Sequence, residues 1–398
     1  MLLGILPAAG LMAPGVYVQE TAVGRPPIQA ADCTTTGFVG ITAVNYLAGA
    51  GKTIAIPADR SVGSYAELAA AYGALPQQTS GMNPDQYQRV RAFHLAVRGY
   101  FDNGGTRAWI APARSAAAGD VRAALLRLTS RHDVSVVAVP GLVAADVRTA
   151  IHDCCSAADA VGVIDGLEAP SSWNRREAVL GSPCSSPALA AFVPWLRVLD
   201  PASGKPVSQP PSGHVCGLLA KTASQRGVWK AAAGLTASLS GIAGLTTTLT
   251  STQKDQLGPL GLNPLVPATS GGQIVVWGGR TLADDPERKY LAVVRLRNHV
   301  RRSIIQSTGW AVFEPSNAAT HALLVQVVTD FLTGLHRSGA LMGATAREAF
   351  FVKCGVGATM TSADVASGHK ILELGIAPQK PAEFMIVRVR WTSAGAGT

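Results

Sequence analysis

Residues 134–164 alternate between two kinds of segment. Val134–Val139 reads VSVVAV, an almost unbroken apolar run, and Val161–Ile164 is a second one. Apolar runs of this length without polar alternation are strands buried on both faces. Pro140-Gly141 stops the first run, and residues 144–160 between the two have the length and pattern of a helix. Strand, helix, strand predicts two parallel strands joined by a crossover, and so an α/β fold with helices packed on a sheet. With 398 residues the chain is long enough for about two to three domains.

Other elements follow from the same rules. Thr34–Thr42 and Arg107–Ile110 are strand candidates, and Ser64–Tyr72 is a helix with Ser64 and Glu67 at capping-box spacing. Pro84–Phe101 is a longer helix capped by Asn83, with Val90, Phe93, His94 and Val97 on one stripe. His94 is expected there as a hydrogen-bonded core histidine. Asp102-Asn103-Gly104-Gly105 ends that helix. Residues 168–187 and 200–213 read as loops, and Ala191–Leu199 as a strand whose Pro194 implies an edge or a bulge. His214–Ser224 is a helix and Gln273–Trp277 a strand. Residues 289–307 form a helix with Val293, Leu296, Val300 and Ile304 inward, and Arg295, Arg297, Arg301 and Arg302 on its other faces. Trp310–Phe313 is a strand, and 318–337 a helix with the stripe Leu323, Val327, Phe331, Leu335. Phe350–Cys354 and Phe384–Val389 are the last strands, and Val16-Tyr17-Val18 is the first.

Charged residues are only 15% of the chain, against ~25% in ordinary soluble domains, which fits burial between subunits. The net charge of +9 favours an acidic partner. Six scattered cysteines are no disulfide framework, and reduced thiols are expected. The apolar start, Met1–Met12, lacks the basic residues of a signal peptide, and 231–253 is too rich in Gly, Ser and Thr to span a bilayer. No stable membrane insertion is expected.

Candidate chemistry is sparse. Gly49–Thr53 fails as a phosphate loop because Tyr46 stands where the first glycine belongs. His152, Cys154 and Cys155 lack a second ligand pair, so no metal or cofactor is expected. Ser212, His214 and Asp200 raise a hydrolase reading, but no G-x-S-x-G elbow exists. Arg280, Arg288, Lys289, Arg295, Arg297, Arg301 and Arg302 form a basic stretch opposed by Asp284, Asp285 and Glu287. Duplex binding through this stretch is the second competing reading. Too few aromatics interleave for single-strand binding, and an acidic protein surface is the more economical partner. The expectation is no enzyme and no nucleic acid.

Several segments in order carry a family resemblance: PGVYVQE (Pro14–Glu20), Gly37–Gly40, Phe101–Gly105 with Ala108–Ile110, Pro194-Trp195 with Asp200-Pro201, and Pro210–His214. They continue through Arg226–Ala231, VWGGRTLADDPERKY (Val276–Tyr290), GWAVFEPSN (Gly309–Asn317), Ser338–Cys354 and Gly375–Val389. Together these resemble the contractile tail sheath proteins of phage tails, R-type bacteriocins and extracellular contractile injection systems. The chain departs from the pattern at Ala231-Ala232-Ala233, where proline is usual, and at Cys216 and Gly279.

The resemblance implies a subtilisin-like α/β core without a working triad, an α+β domain built from both the N- and C-terminal segments, and extended terminal strand arms. The corresponding division is an N-terminal arm at 1–25, the first part of the α+β domain at 26–100, and the core at 101–270. A C-terminal sheath domain facing an inner tube follows at 271–380, and a strand arm at 381–398. It further implies a structural subunit that polymerises helically around an inner tube and contracts to drive it through a target envelope. Its partners would be copies of itself, the tube, and baseplate and terminator proteins. It would be assembled in the bacterial cytoplasm and end in a phage tail or released particle.

The residues supply a means. Val16, Tyr17 and Val18, and Phe384, Met385, Ile386 and Val387, are short strands isolated by Pro and Gly. Such strands are unstable alone but can join a sheet of another copy. The basic face with Arg295, Arg297, Arg301 and Arg302 is expected to grip an acidic tube.

Overall fold

The computed structural model describes residues 27–43, 57–77, 83–201, 203–268, 272–312 and 314–381. Val16, Tyr17 and Val18, the Gly49–Thr53 turn, and Phe384–Val389 lie outside them. The unit predicted around residue 150 is present: Val136–Ala138 and Val161–Asp165 pair in parallel across the helix Ala145–Ala157.

Numbered along the chain, the strands are β1 (Thr36–Gly40), β2 (Arg60–Val62), β3 (Ala108–Pro112), β4 (Val136–Ala138), β5 (Val161–Asp165), β6 (Leu189–Val193) and β7 (Leu196–Leu199). They continue as β8 (Pro206–Gln209), β9 (Gly244–Leu245), β10 (Leu262–Pro267), β11 (Ile274–Val276), β12 (Phe350–Cys354) and β13 (Leu372–Ile376). The helices are α1 (Tyr65–Tyr72), α2 (Pro84–Asp102), α3 (Ala118–Thr129), α4 (Ala145–Ala157), α5 (Arg176–Leu180) and α6 (Ser212–Arg226). After them come α7 (Ser251–Leu257), α8 (Leu291–Ser307), α9 (Ala318–Arg337), α10 (Ala346–Ala349) and α11 (Ser362–Ala366).

The main sheet has eight strands in the order β11-β10-β6-β5-β4-β1-β3-β2. Strands β10, β6, β5, β4, β1 and β3 are parallel, and β11 and β2 close the edges antiparallel. The chain steps from β1 to β3 on one side and returns to β4 on the other, so helices cover both faces. One face packs on α2 and α6 through Phe93, Leu95, Tyr100, Val215 and Leu219. The other packs on α3 and α4 through Val121, Leu125, Val147 and Ile151. Helix α6 lies so close to α2 that a Cβ at Gly213 would stand 2.2 Å from the Ala96 carbonyl oxygen. Only glycine permits that approach.

A second lobe follows. Leu296, Val300 and Ile304 of α8 share an apolar cluster with Val328, Leu332 and Leu335 of α9. Phe350, Val352, Leu372 and Leu374 of the β12–β13 hairpin pack against it. Helix α9 is the one described helix long and apolar enough to cross a membrane. Its most buried stripe is Leu324, Val328, Leu332 and Leu335, with Val327 and Phe331 half-buried at its margin. The stripe predicted from Leu323 is thus rotated by one residue.

Several sequence expectations change. Ala191–Leu199 is two strands in different sheets, β6 in the main sheet and β7 in a three-stranded sheet β8-β7-β9. Pro194 marks the corner between them. The predicted loops contain α5 and β8. Residues 309–312 form a 3-10 turn instead of a strand. The Ala311 N–H bonds to the Thr308 carbonyl, and the distant Lys370 Nζ donates to the Ala311 and Glu314 carbonyls, so a local turn bond and a tertiary contact together override strand propensity. His94 is a core residue, but neither ring nitrogen has a hydrogen-bond partner. Burial lowers its pKa to about 4. The boundary at residue 100 also fails. Helix α2 crosses it, and β1 sits inside the sheet assigned to 101–270, where all five of its residues are buried. Strand β11 likewise joins that sheet from beyond residue 270.

Candidate functional site

Helix α8 carries the four arginines singled out above, and the fold separates them into two pairs. Arg295 and Arg302 are seven residues apart and face inward; Arg297 and Arg301 are four apart and exposed. Arg295 is 5% exposed, and its Nη2 donates to the Cys33 carbonyl at 2.9 Å and its Nη1 to the Leu219 carbonyl at 3.5 Å. Arg302 donates to the His132 carbonyl. Burial lowers the pKa of both. These two are therefore part of the subunit interior and are no part of an exposed basic face. Arg301 is bound to Asp159. Arg297 alone of the four is exposed without an ion pair among the described residues.

What covers the inward pair is a distant piece of chain. Residues 27–35 form a strap antiparallel to α8. The Gln29 N–H donates to Ser307 Oγ at 2.9 Å and the Ala31 N–H to Ser303 Oγ at 2.9 Å, ahead of the Arg295–Cys33 bond. Extended backbone outside a sheet needs partners for its polar groups. Serines four apart on one helix face supply them here. Asp32 folds back to accept from the Thr34 and Thr35 amides and from both hydroxyls. Burial alone would raise its pKa; those bonds outweigh it and lower the pKa. Beneath the strap, His299 keeps an unpartnered Nδ1, and burial, then Arg302, lowers its pKa.

The far end of the described chain leaves elsewhere. The Met342 N–H bonds to the Ala377 carbonyl at 2.8 Å, the Gln379 N–H to the Ala340 carbonyl at 3.2 Å, and Lys380 Nζ to Glu287 at 3.0 Å. Gln29 thus sits at the end of α8 and Lys380 beside the residues just before its start. A helix of 17 residues separates such points by about 25 Å. Near the second exit, β12–β13 is a sheet only two strands wide among the described residues. Its inner side packs on α9, and its outer side shows Phe351, 44% exposed, laid over Gly375.

The other candidate residues form no reactive centre among the described residues. Ser212 donates its N–H and Oγ to the two oxygens of buried Asp165, at 2.8 and 2.9 Å. His214 is buried against Gly99, with Nδ1 unpartnered. Asp200 accepts from Ser203 Oγ at 2.9 Å. His152 meets Ser186 Oγ at 2.7 Å, Cys154 and Cys155 are buried, and no described His, Cys, Asp and Glu side chains cluster to hold a metal. Sequence reasoning missed Asp32, Asp165, Ser303 and Ser307. For the serines a signal existed: with Arg295 and His299 they extend a polar stripe at helical spacing.

No family model matches the sequence, and none of the curated proteins does. Solved structures do. A chain of the anti-feeding prophage (AFP) baseplate matches at 27% identity and a TM-score of 0.75, over 96% of this chain and 99% of that one. A chain of the PVC sheath complex of an extracellular contractile injection system, in the contracted state, matches at 25% identity and a TM-score of 0.77, over 95% and 97%. The AFP helical sheath in its contracted state gives 27% identity and a TM-score of 0.74, over 95% and 98%. This chain is a contractile sheath protein. Sheath tail proteins of Listeria innocua and Desulfitobacterium hafniense share its fold, each with a TM-score of 0.57, at 10% and 9% identity. The sheath protein is thus a mixed α/β molecule whose relatives are structural subunits of contractile particles. In this sheath protein the strap of residues 27–35 is fastened to helix α8, and residues 377–380 are fastened to Ala340, Met342 and Glu287.

Proposed function

We propose that copies of this sheath protein polymerise helically around an inner tube, engage a baseplate at one end and a terminator at the other, and contract to drive the tube through a target envelope. The subunits are assembled in the bacterial cytoplasm and become part of a phage tail or released contractile particle. Neighbours are joined by strand exchange, through Val16, Tyr17 and Val18 at one end and Phe384, Met385, Ile386 and Val387 at the other. The observation that carries this reading is the β12–β13 hairpin. A two-stranded sheet with one face packed on a helix is marginal, and open edges accept further strands. Roughly four to six backbone bonds per arm, each worth about 1 kcal/mol, would hold neighbours while their bodies rotate. Separate exits for the two ends, beyond opposite ends of α8, favour arms that reach different neighbours.

The sheet with α2 and α6 on one face supports the subtilisin-like reading of the core, used as a rigid body without catalysis. Arg297 is the residue of the basic face that remains available to an acidic tube surface. Contraction itself is a rigid-body change between two packings of these bodies. The test is negative-stain microscopy of the purified chain with its tube: long hollow helical tubes are expected. Deleting residues 1–20 or 383–398 should abolish them while leaving the folded body. Tubes of normal length from both truncations would end the proposal.

A further inference from the structure

Helix α8 buries a polar stripe that sheath polymerisation does not by itself require. Arg295, His299, Arg302, Ser303 and Ser307 lie beneath the strap. Burying a guanidinium is costly unless its donors are engaged, and Arg295 engages two backbone carbonyls. Those two belong to different parts of the molecule. Cys33 is on the strap, and Leu219 is on α6, the helix buried along most of its length. Along the strap the partners on α8 change from neutral to charged: Gln29 and Ala31 are held by serine hydroxyls and Cys33 by a buried guanidinium, while Asp32 stiffens the strap through four bonds from Thr34 and Thr35. The opposite exit is held differently, by two backbone bonds, from Met342 to the Ala377 carbonyl and from Gln379 to the Ala340 carbonyl, and by a surface pair, Lys380 and Glu287, 42% and 74% exposed.

We infer that this stripe is a clasp that keeps the root of the N-terminal arm shut on its own subunit while the arm is pulled, with Arg295 passing the load from the strap into helix α6. The inference rests on the arm exchange proposed above and specifies what holds the root of the arm. Residues 29–35 stay fixed in extended and contracted sheaths alike. Arg295 is a positioning residue here, acting through the backbone it holds.

Two variants test it: Arg295→Met, which keeps an apolar stem and removes the donors, and the double variant Ser303→Ala with Ser307→Ala. In the full-length unassembled subunit, amide exchange over residues 29–35 should quicken about tenfold while β4 and β5 stay protected. Sheaths built from either variant should form and then part between subunits on contraction. Unchanged exchange over 29–35 in both variants overturns the inference, as does intact contraction of both. Faster exchange of 29–35 in the contracted than in the extended wild-type sheath overturns it too, since the clasp would then open. If Arg295→Met fails to fold, the serine variant carries the same comparison. If the wild-type chain forms no sheath, the arm-exchange reading fails, and the exchange data on the subunit still judge the clasp.

Discussion

Asp159 meets Arg301 with both carboxylate oxygens, each 2.6 Å from the guanidinium Nη1. It does so from a left-handed backbone, φ 51°, in the three-residue connection between α4 and β5. The pair ties helix α8 to the sheet from its exposed side, as the strap does from its buried side. Arg301 is therefore already engaged, whereas Arg297 one turn earlier is not.

Charge reversal should separate these two residues. Arg301→Glu is expected to destabilise the isolated subunit by about 0.5–1 kcal/mol, the range of a half-exposed pair, seen as a lower melting temperature. Arg297→Glu should leave melting unchanged and instead weaken tube-bound assembly, making it more sensitive to salt. Equal melting losses in both variants would show that the exposed pair carries no such division.

Acid should loosen the α2–α6 layer through two histidines. Burial lowers the pKa of His94 and of His214 to about 4, from 6.5 in the unfolded chain. A depressed histidine adds stability above pH 6.5, and that stability drains away as pH falls from 6.5 to about 4. The size is about 3 kcal/mol for each ring. Replacing His94 with Phe should flatten the acid limb of melting temperature against pH, and a limb of unchanged slope would refute the assignment.

Asp165 works in the other direction. Burial raises its pKa to about 6, against the pull of hydrogen bonds from Gly141 and Ser212. A raised carboxyl favours folding below pH 3.8 and loses that contribution as pH rises to about 6. It thus opposes the histidines over the same window. Asp165→Asn should lower the melting temperature at every pH, because the Gly141 amide loses its acceptor. It should also steepen the rise between pH 4 and 6. A shallower rise would contradict the raised pKa.

Gly213→Ala places a methyl group 2.2 Å from a backbone oxygen, where no side-chain rotation relieves it. The expected cost is about 3 kcal/mol, measured by urea unfolding of the full chain. A change below ~0.5 kcal/mol would mean that α2 and α6 are free to separate.

The sequence alone determined the local elements and the class of fold. The β4–α4–β5 unit, the Asn83 cap whose Oδ1 accepts from the Asp85 and Gln86 amides, and the apolar stripe of α8 all follow from the periodicity of neighbouring side chains. Ordered motifs from Pro14 to Val389 also resemble those of sheath proteins. Tertiary structure decided what periodicity cannot carry, which is what lies opposite each face. Arg295 and Arg297 are two residues apart with the same charge, yet one is interior and the other exposed, because a strap from residues 27–35 covers only one side of α8. Likewise β1 lies in the middle of a sheet built mostly from later segments, and Leu196–Leu199 belongs to a different sheet from Leu189–Val193 just before it. Those outcomes depend on contacts between residues more than a hundred positions apart, such as Cys33 with Arg295. A local pattern records the demand for a partner but not which distant backbone meets it.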